Sequence, residues 1–179
     1  HIAPGYFLIR VCRTTEVARR PPPAEPRSRA KTRPNPSAKE PTMKILRIDH
    51  IALCVPEIEP ALQQWQATLG LLLGPREYVP TQLTEAAFVL TPAEGEACVE
   101  LIAPKPRGEN LGLEKFLDKR GGLHHIAFAV ENIQSALDEL AERGVPLLDR
   151  HPRPGARGHQ VAFLHPKALG GVLVELVSS

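Results

Sequence analysis

No apolar run in this chain approaches the roughly 20 residues a membrane helix needs, so no spanning helix is expected. The apolar run Tyr6 to Cys12 is too short for an anchor, and no small-residue cleavage site follows a charged start, which argues against secretion. Cysteine is sparse as well: Cys12, Cys54 and Cys98 are odd in number and widely spaced, and two of them sit inside apolar runs. That pattern points to reduced, buried thiols rather than a disulfide framework, and so to a cytoplasmic setting. A basic folded surface is missing too. The formal net charge of +2 conceals an uneven split, because residues 1–42 hold nine Lys/Arg against three acids. The rest carries 13 basic against 17 acidic residues, a mildly acidic body that argues against a nucleic-acid partner.

The first 42 residues stand apart. They contain eight prolines interleaved with arginine and show no hydrophobic period, the composition of a disordered leader. The single methionine, Met43, directly precedes the first strand pattern, so the leader is expected to be non-native upstream sequence, with Met43 the natural start. An Arg-rich targeting segment is the other reading, weakened by prolines that would break its helix. A single folded domain over 43–179 is expected.

What is present, and informative, is a repeat. Asp49-His50-Ile51-Ala52-Leu53-Cys54-Val55 is echoed by His124-His125-Ile126-Ala127-Phe128-Ala129-Val130. The spacing carries on without a gap: Ile58 falls on Ile133, Leu62 on Leu137, Phe88 on Phe163, and Val99-Glu100-Leu101 on Val174-Glu175-Leu176. A repeat of this kind fixes architecture before any local signal does. The local signals agree. Strands are expected at 45–55, 85–90 and 97–103, with an amphipathic helix from Ile58 closed by Gly70. A short helix is expected over 111–119. The second half offers strands at 123–130, 145–148, 160–164 and 171–177, and a helix capped by Asn132 and ended by Gly144. The loop 151–159 is rich in Pro, Gly and Arg. The expected fold is α+β: two tandem βαβββ modules, about 45–104 and 121–179, forming a curved mixed sheet around a metal cavity.

The repeat pairs His50 with Glu100 and His125 with Glu175. Alone, either histidine reads as a satisfied core residue and either glutamate as the wet face of a strand. Together, two carboxylates at matching positions of apolar strands need partners, because burying a bare charge costs several kcal/mol. Imidazole nitrogen and carboxylate oxygen suit Zn, Co, Ni, Mn or Fe(II). Four protein ligands leave one or two positions for water or a substrate carbonyl, which the ion would polarise. With no thiolate in the set, a closed structural zinc site is not expected.

These motifs resemble the vicinal oxygen chelate superfamily, the glyoxalase-like group, from Met43 to the C-terminus. Within it, Val99-Glu100-Leu101-Ile102-Ala103-Pro104, Gly121-Gly122-Leu123-His124-His125-Ile126-Ala127, and Phe163-Leu164-His165-Pro166-Lys167 followed by Gly170-Gly171-Val172-Leu173-Val174-Glu175-Leu176 are most similar to the methylmalonyl-CoA epimerase family. The resemblance implies a divalent ion (Co, Zn, Ni or Mn) on His50, His125 and Glu175, with Glu100 where the family carries Gln or Glu. It implies inversion of the α-carbon of an acyl-CoA thioester, and a homodimer. Inversion needs a base on each face of the carbon. Glu175 is one candidate. Glu85 is the other, although it lies one residue out of register with a family carboxylate, and such a slip turns a side chain to the other face. Lys167, His165 and Arg157 are candidates for the substrate's carboxylate or the CoA phosphate. His124 is expected on the opposite face from its neighbour, and Trp65 in the core. Glyoxalase I chemistry on a glutathione hemithioacetal, an Fe(II) dioxygenase and a metal-free binding module are the competing functions.

Overall fold

Residues 42–91 and 97–179 are described by the structure, a computed structural model. The expectations for residues 1–41 of the leader lie outside the described residues.

The run Ile45–Cys54 folds as strand β1 and ends before Pro56. Helix α1, Ile58–Leu69, follows and closes on Gly70 at φ 66, the left-handed conformation that glycine adopts without a Cβ clash. Strands β2 (Leu72–Val79), β3 (Thr84–Leu90) and β4 (Cys98–Pro104) complete the first module. Helix α2, Leu111–Lys119, connects the modules; Asn110 caps it by accepting from the Leu113 N–H. The second module repeats the order: β5 (Gly122–Val130), α3 (Ile133–Glu142), the two-residue β6 (Arg153–Pro154), β7 (Gln160–Leu164) and β8 (Val174–Ser178). Asn132 caps α3 as its side chain accepts from the Ser135 N–H at 2.9 Å.

Two expectations are corrected. The apolar run Leu71 to Leu73 would be expected to end at the Gly74-Pro75 turn that follows it, but β2 continues through that pair to Val79. It can do so as an edge strand, where proline's missing N–H costs no ladder bond; the register slips between Leu73 and Arg76. Residues 145–148 form no strand and contribute only a bridge from Leu147 to Leu164.

The strands form one sheet of eight in the order β2-β3-β4-β1-β5-β8-β7-β6. β1 and β5 meet antiparallel at its centre, and each has its own β4 or β8 running parallel on the far side. The two modules are thus mirrored about the β1–β5 seam. On the outer face, α1 buries Ile58 and Leu62 against Ala87, Val89, Leu101 and Ala103. Trp65 packs at the margin of that cluster. Helix α3 does the same with Ile133, Leu137 and Leu140 against Ala162, Leu164, Val174 and Leu176. Alternation along β4 and β8 then sends Glu100 and Glu175 to the inner face.

The β1–β5 ladder carries two bulges that matter. Its register passes from Ile48 to His50 against consecutive residues of β5, which leaves Asp49 extra. It passes from His125 to Leu123 against consecutive residues of β1, which leaves His124 extra. A bulge re-aims the side chain it inserts. The residue before each repeated histidine is therefore turned out of simple alternation in both halves.

Leu101→Ala should lower stability by about 2–5 kcal/mol, the usual cost of emptying a fully buried leucine site, since Leu101 is 0% exposed beneath α1. Urea unfolding at constant m-value measures it; an unchanged midpoint would show that the α1 layer does not hold β4.

Candidate metal centre

The inner face of the sheet encloses a cavity of about 370 Å3 whose walls include His50, Glu100, His125 and Glu175. All four are at least 94% buried. Their ligand atoms converge. His50 Nε2 lies 3.2 Å from His125 Nε2, 3.2 Å from Glu100 Oε2 and 3.1 Å from Glu175 Oε2. His125 Nε2 lies 3.4 Å from Glu175 Oε2 and 3.8 Å from Glu100 Oε2. Ligands bound at about 2.0–2.2 Å stand roughly 3.0–3.5 Å from their neighbours around one ion. Apart from the 3.8 Å from His125 to Glu100, the spacings fall in that range, and the burial and nitrogen–oxygen donor set fit a divalent cation; His50, Glu100 and His125 place their ligand atoms within 4.8 Å of one another.

The charges of the cluster act strongly on one another. Burial disfavours the His50 imidazolium, but hydrogen bonds and charge from Glu100 and Glu175 outweigh it and raise its pKa to about 10. Burial would also raise Glu175, yet His125 and His50 hold it down at about 2. Rings fix the imidazoles from the side: Phe88 meets His50 edge-on at 6.3 Å, and Phe163 meets His125 at 5.2 Å. Phe88 and Phe163 are themselves a repeat pair.

His124 does not sit on the opposite face. The bulge turns it into the cavity wall, where its Nδ1 lies 2.9 Å from Nδ1 of His125. Burial first, and then the charge of His125, lowers its pKa to about 4. Its counterpart Asp49, 3% exposed, is also turned inward. There it accepts two hydrogen bonds from Arg157 Nη2, at 2.9 and 3.0 Å. The Arg157 guanidinium lies 4.4 Å from the Phe88 ring centre and lines the cavity. Its backbone N–H reaches Glu77 Oε1 at 2.6 Å, and Arg157 itself takes φ 57 in the turn Gly155–Gly158. Gly155 is required there, because a Cβ would come within 2.5 Å of Val161 Cγ1. One arginine of the second module thus ties down the residue next to the first module's histidine.

Three candidates do not reach the cavity. Glu85 lies on the outer face of β3, where Arg76 Nε and Lys105 Nζ hold it at 3.0 and 3.1 Å. Burial would raise its pKa, but those two cations lower it. The cavity-facing residues of β3 are Thr84, Ala86 and Phe88, one position to either side. His165 and Lys167 pair with each other on the turn Pro166–Leu169, as the Lys167 N–H donates to His165 Nδ1. They are not among the cavity's walls. Sequence reading missed Asn110, Asp149 and His159, which do line it. Only His159 had a signal, since the repeat sets it opposite Thr84. Cys54 and Cys98 are free and buried, as expected; burial pushes the Cys54 thiol up to about 12 and raises Cys98.

Two βαβββ halves closing on two histidines and two glutamates define a duplicated class of α+β protein. Residues 49–163 match the glyoxalase/bleomycin resistance protein/dioxygenase superfamily, and the chain belongs to it. A relative from Cereibacter sphaeroides named ethylmalonyl-CoA/methylmalonyl-CoA epimerase is 39% identical over 133 residues, 73% of this chain and 96% of the relative. The Mycobacterium tuberculosis methylmalonyl-CoA epimerase superposes with a TM-score of 0.70 at 30% identity, over 79% of this chain and 93% of that one. A Streptomyces coelicolor methylmalonyl-CoA epimerase variant in complex with 2-nitronate-propionyl-CoA superposes with a TM-score of 0.69 at 31% identity, covering 76% and 96%. Among the described residues no helix is long and apolar enough to cross a membrane.

Two outcomes are expected. The raised His50 contributes stability that is full below pH 6.5 and is lost as pH rises toward about 10. The lowered Glu175 contributes stability that is full above pH 4.5 and is lost as pH falls toward about 2. Chelator-treated protein should therefore draw most from this pair between those two limits, as urea midpoints across pH would show; a midpoint still rising above pH 8 would contradict it. Arg157→Ala should cost about 3 kcal/mol by leaving the buried Asp49 carboxylate with only the more distant, half-exposed Arg47 at 3.5 Å, the low end of that range because the Arg157 guanidinium is itself 27% exposed. Asp49→Asn combined with it should recover part of the loss, and additivity in that double-mutant cycle would count against the pairing.

Proposed function

We propose that this chain is a methylmalonyl-CoA epimerase, an isomerase that removes the α-proton of the acyl-CoA thioester and returns it on either face. The observation that carries the proposal is the convergence of His50, Glu100, His125 and Glu175 inside one cavity, in a chain similar to epimerases along its folded length. Those four side chains would hold the ion; Co, Zn, Ni and Mn all suit the donor set. A bound cation supplies fixed positive charge against the negative charge that develops on the thioester oxygen as the proton leaves.

The chain's own residues do the rest. Glu175 is the proposed base: its carboxylate stays ionised and faces the cavity. The proton must also be handled on the opposite face. Glu85 is held outside by Arg76 and Lys105, so it is not placed for that task. Glu100, the repeat mate of Glu175, is the carboxylate of the centre that can serve it. Arg157 and Arg153 both line the cavity, and Arg157, the one held beside the centre by Asp49, is proposed to face the substrate's free carboxylate. Apolar walls, chiefly Phe88, Phe163, Ile102 and Leu113, keep water away from a carbanion-like carbon. The folded unit is proposed as 43–179, with halves 45–104 and 121–179. A homodimer is proposed as its assembly, supported by the exposed Ile45, Leu46, Ile48 and Ile51 along β1.

Metal-loaded protein in deuterated water should exchange the α-proton of methylmalonyl-CoA and leave methylglyoxal with glutathione unconverted. Turnover of the second pair without exchange in the first would replace this proposal with glyoxalase chemistry. Glu175→Gln should cut exchange by about a hundredfold or more, the usual weight of a positioned base; full activity in that variant would refute its role.

A further inference from the structure

We infer that His124 is a positioning residue for the metal centre: through a hydrogen bond between the two Nδ1 atoms it fixes which nitrogen of His125 is free to bind the ion. The inference rests on the proposed reading of the four-residue cluster as a metal centre.

His125 turns Nε2 toward His50, Glu100 and Glu175. A nitrogen that gives its lone pair to a cation carries no proton, so the neutral ring must keep its proton on Nδ1. That Nδ1–H lies 2.9 Å from one partner, Nδ1 of His124. His124 must then accept, which leaves its own proton across the ring on Nε2. A metal-bound histidine generally gives its second N–H to a carboxylate, a carbonyl or water. Here an imidazole takes that place, and the β5 bulge put it there. The ring is wedged as well as bonded. Phe116 of α2 meets His124 edge-on at 4.8 Å, and His124 meets His125 edge-on at 5.2 Å. Helix α2, Phe116, His124 and His125 therefore form one continuous brace from the linker between modules to the centre.

The first module has no such brace. Its corresponding residue is Asp49, whose carboxylate is taken by Arg157. His50 Nδ1 is buried and has no hydrogen-bond partner among the described residues. The repeat thus supplies one oriented ligand, His125, and one that only ring packing and the ion itself would orient. Loss of His124 should weaken metal binding even though His124 never touches the ion.

Co(II) is the probe, read by competition with a chromophoric chelator and by its visible absorption bands. His124→Phe keeps a ring against Phe116 but removes the acceptor. His124→Asn keeps an acceptor close to the Nδ1 position. His124→Phe should bind Co(II) roughly ten- to a hundredfold more weakly, and His124→Asn should recover most of the difference. Long-range proton–nitrogen NMR of the zinc-loaded wild type reads the tautomers directly and does not depend on any variant folding. It should show the proton on Nδ1 of His125 and on Nε2 of His124. Wild-type affinity in His124→Phe, failure of His124→Asn to recover, or a proton on Nδ1 of His124 would each overturn the inference. If the wild type itself binds neither Co(II) nor zinc, the metal-centre reading fails first, and this inference falls with it.

Discussion

Glu100 and Glu175 are each buried in a strand whose neighbours are apolar, and a bare carboxylate in that setting costs several kcal/mol. Each must find positive charge or hydrogen-bond donors within the fold. His50 and His125 supply them, but only because β1 and β5 lie side by side at the centre of the sheet, with β4 and β8 immediately outside them. The order of strands is what brings four groups from four strands to one point. Everything else in the structure serves that arrangement: α1 and α3 seal the outer face, α2 covers the inner one, and the cavity is the space left between.

The two halves are related by duplication, yet the site they build is not symmetric. The two histidines and two glutamates come in matched pairs, and so do the aromatic rings beside the histidines, Phe88 and Phe163. The residues preceding the two histidines are matched in position and unlike in chemistry. Asp49 reaches across the module boundary to Arg157, whereas His124 turns to its own neighbour. One half uses its bulge to bind the modules together, and the other uses its bulge to set His124 against His125. Duplication set the frame, and divergence at two bulged positions gave the halves separate tasks. The proposed epimerisation has a similar form, since one carbon must be approached from two faces by groups that need not be equivalent.

How much of this was legible follows from periodicity. The repeat, the βαβββ order and the four central residues could be read directly, because an ungapped echo constrains position and apolar alternation constrains face. The errors at His124 and Asp49 share one cause. Reading a face from alternation assumes an unbroken ladder, and the β1–β5 ladder is broken at Asp49 and at His124. His124 was therefore set on the wrong face, and Asp49 was given no task. In the β3–β4 ladder the register is unbroken, so the doubt raised over Glu85 by its one-residue slip matches its place on the outer face. Lys167 and His165 were chosen for closeness in sequence to the strand of Glu175, but a turn that pairs them with each other carries them off the cavity wall.

By itself the sequence determined the duplicated architecture and the identity of the residues at its centre. Both follow from spacing, and spacing is a property of the chain. Only the tertiary structure decided which side chains share the cavity with that centre. Arg157 meets Asp49 across 108 residues, and no local pattern connects them. His124 enters the wall because one residue too many is fitted into β5 against β1. Such a bulge belongs to the pairing of two strands, so it exists only once they have met.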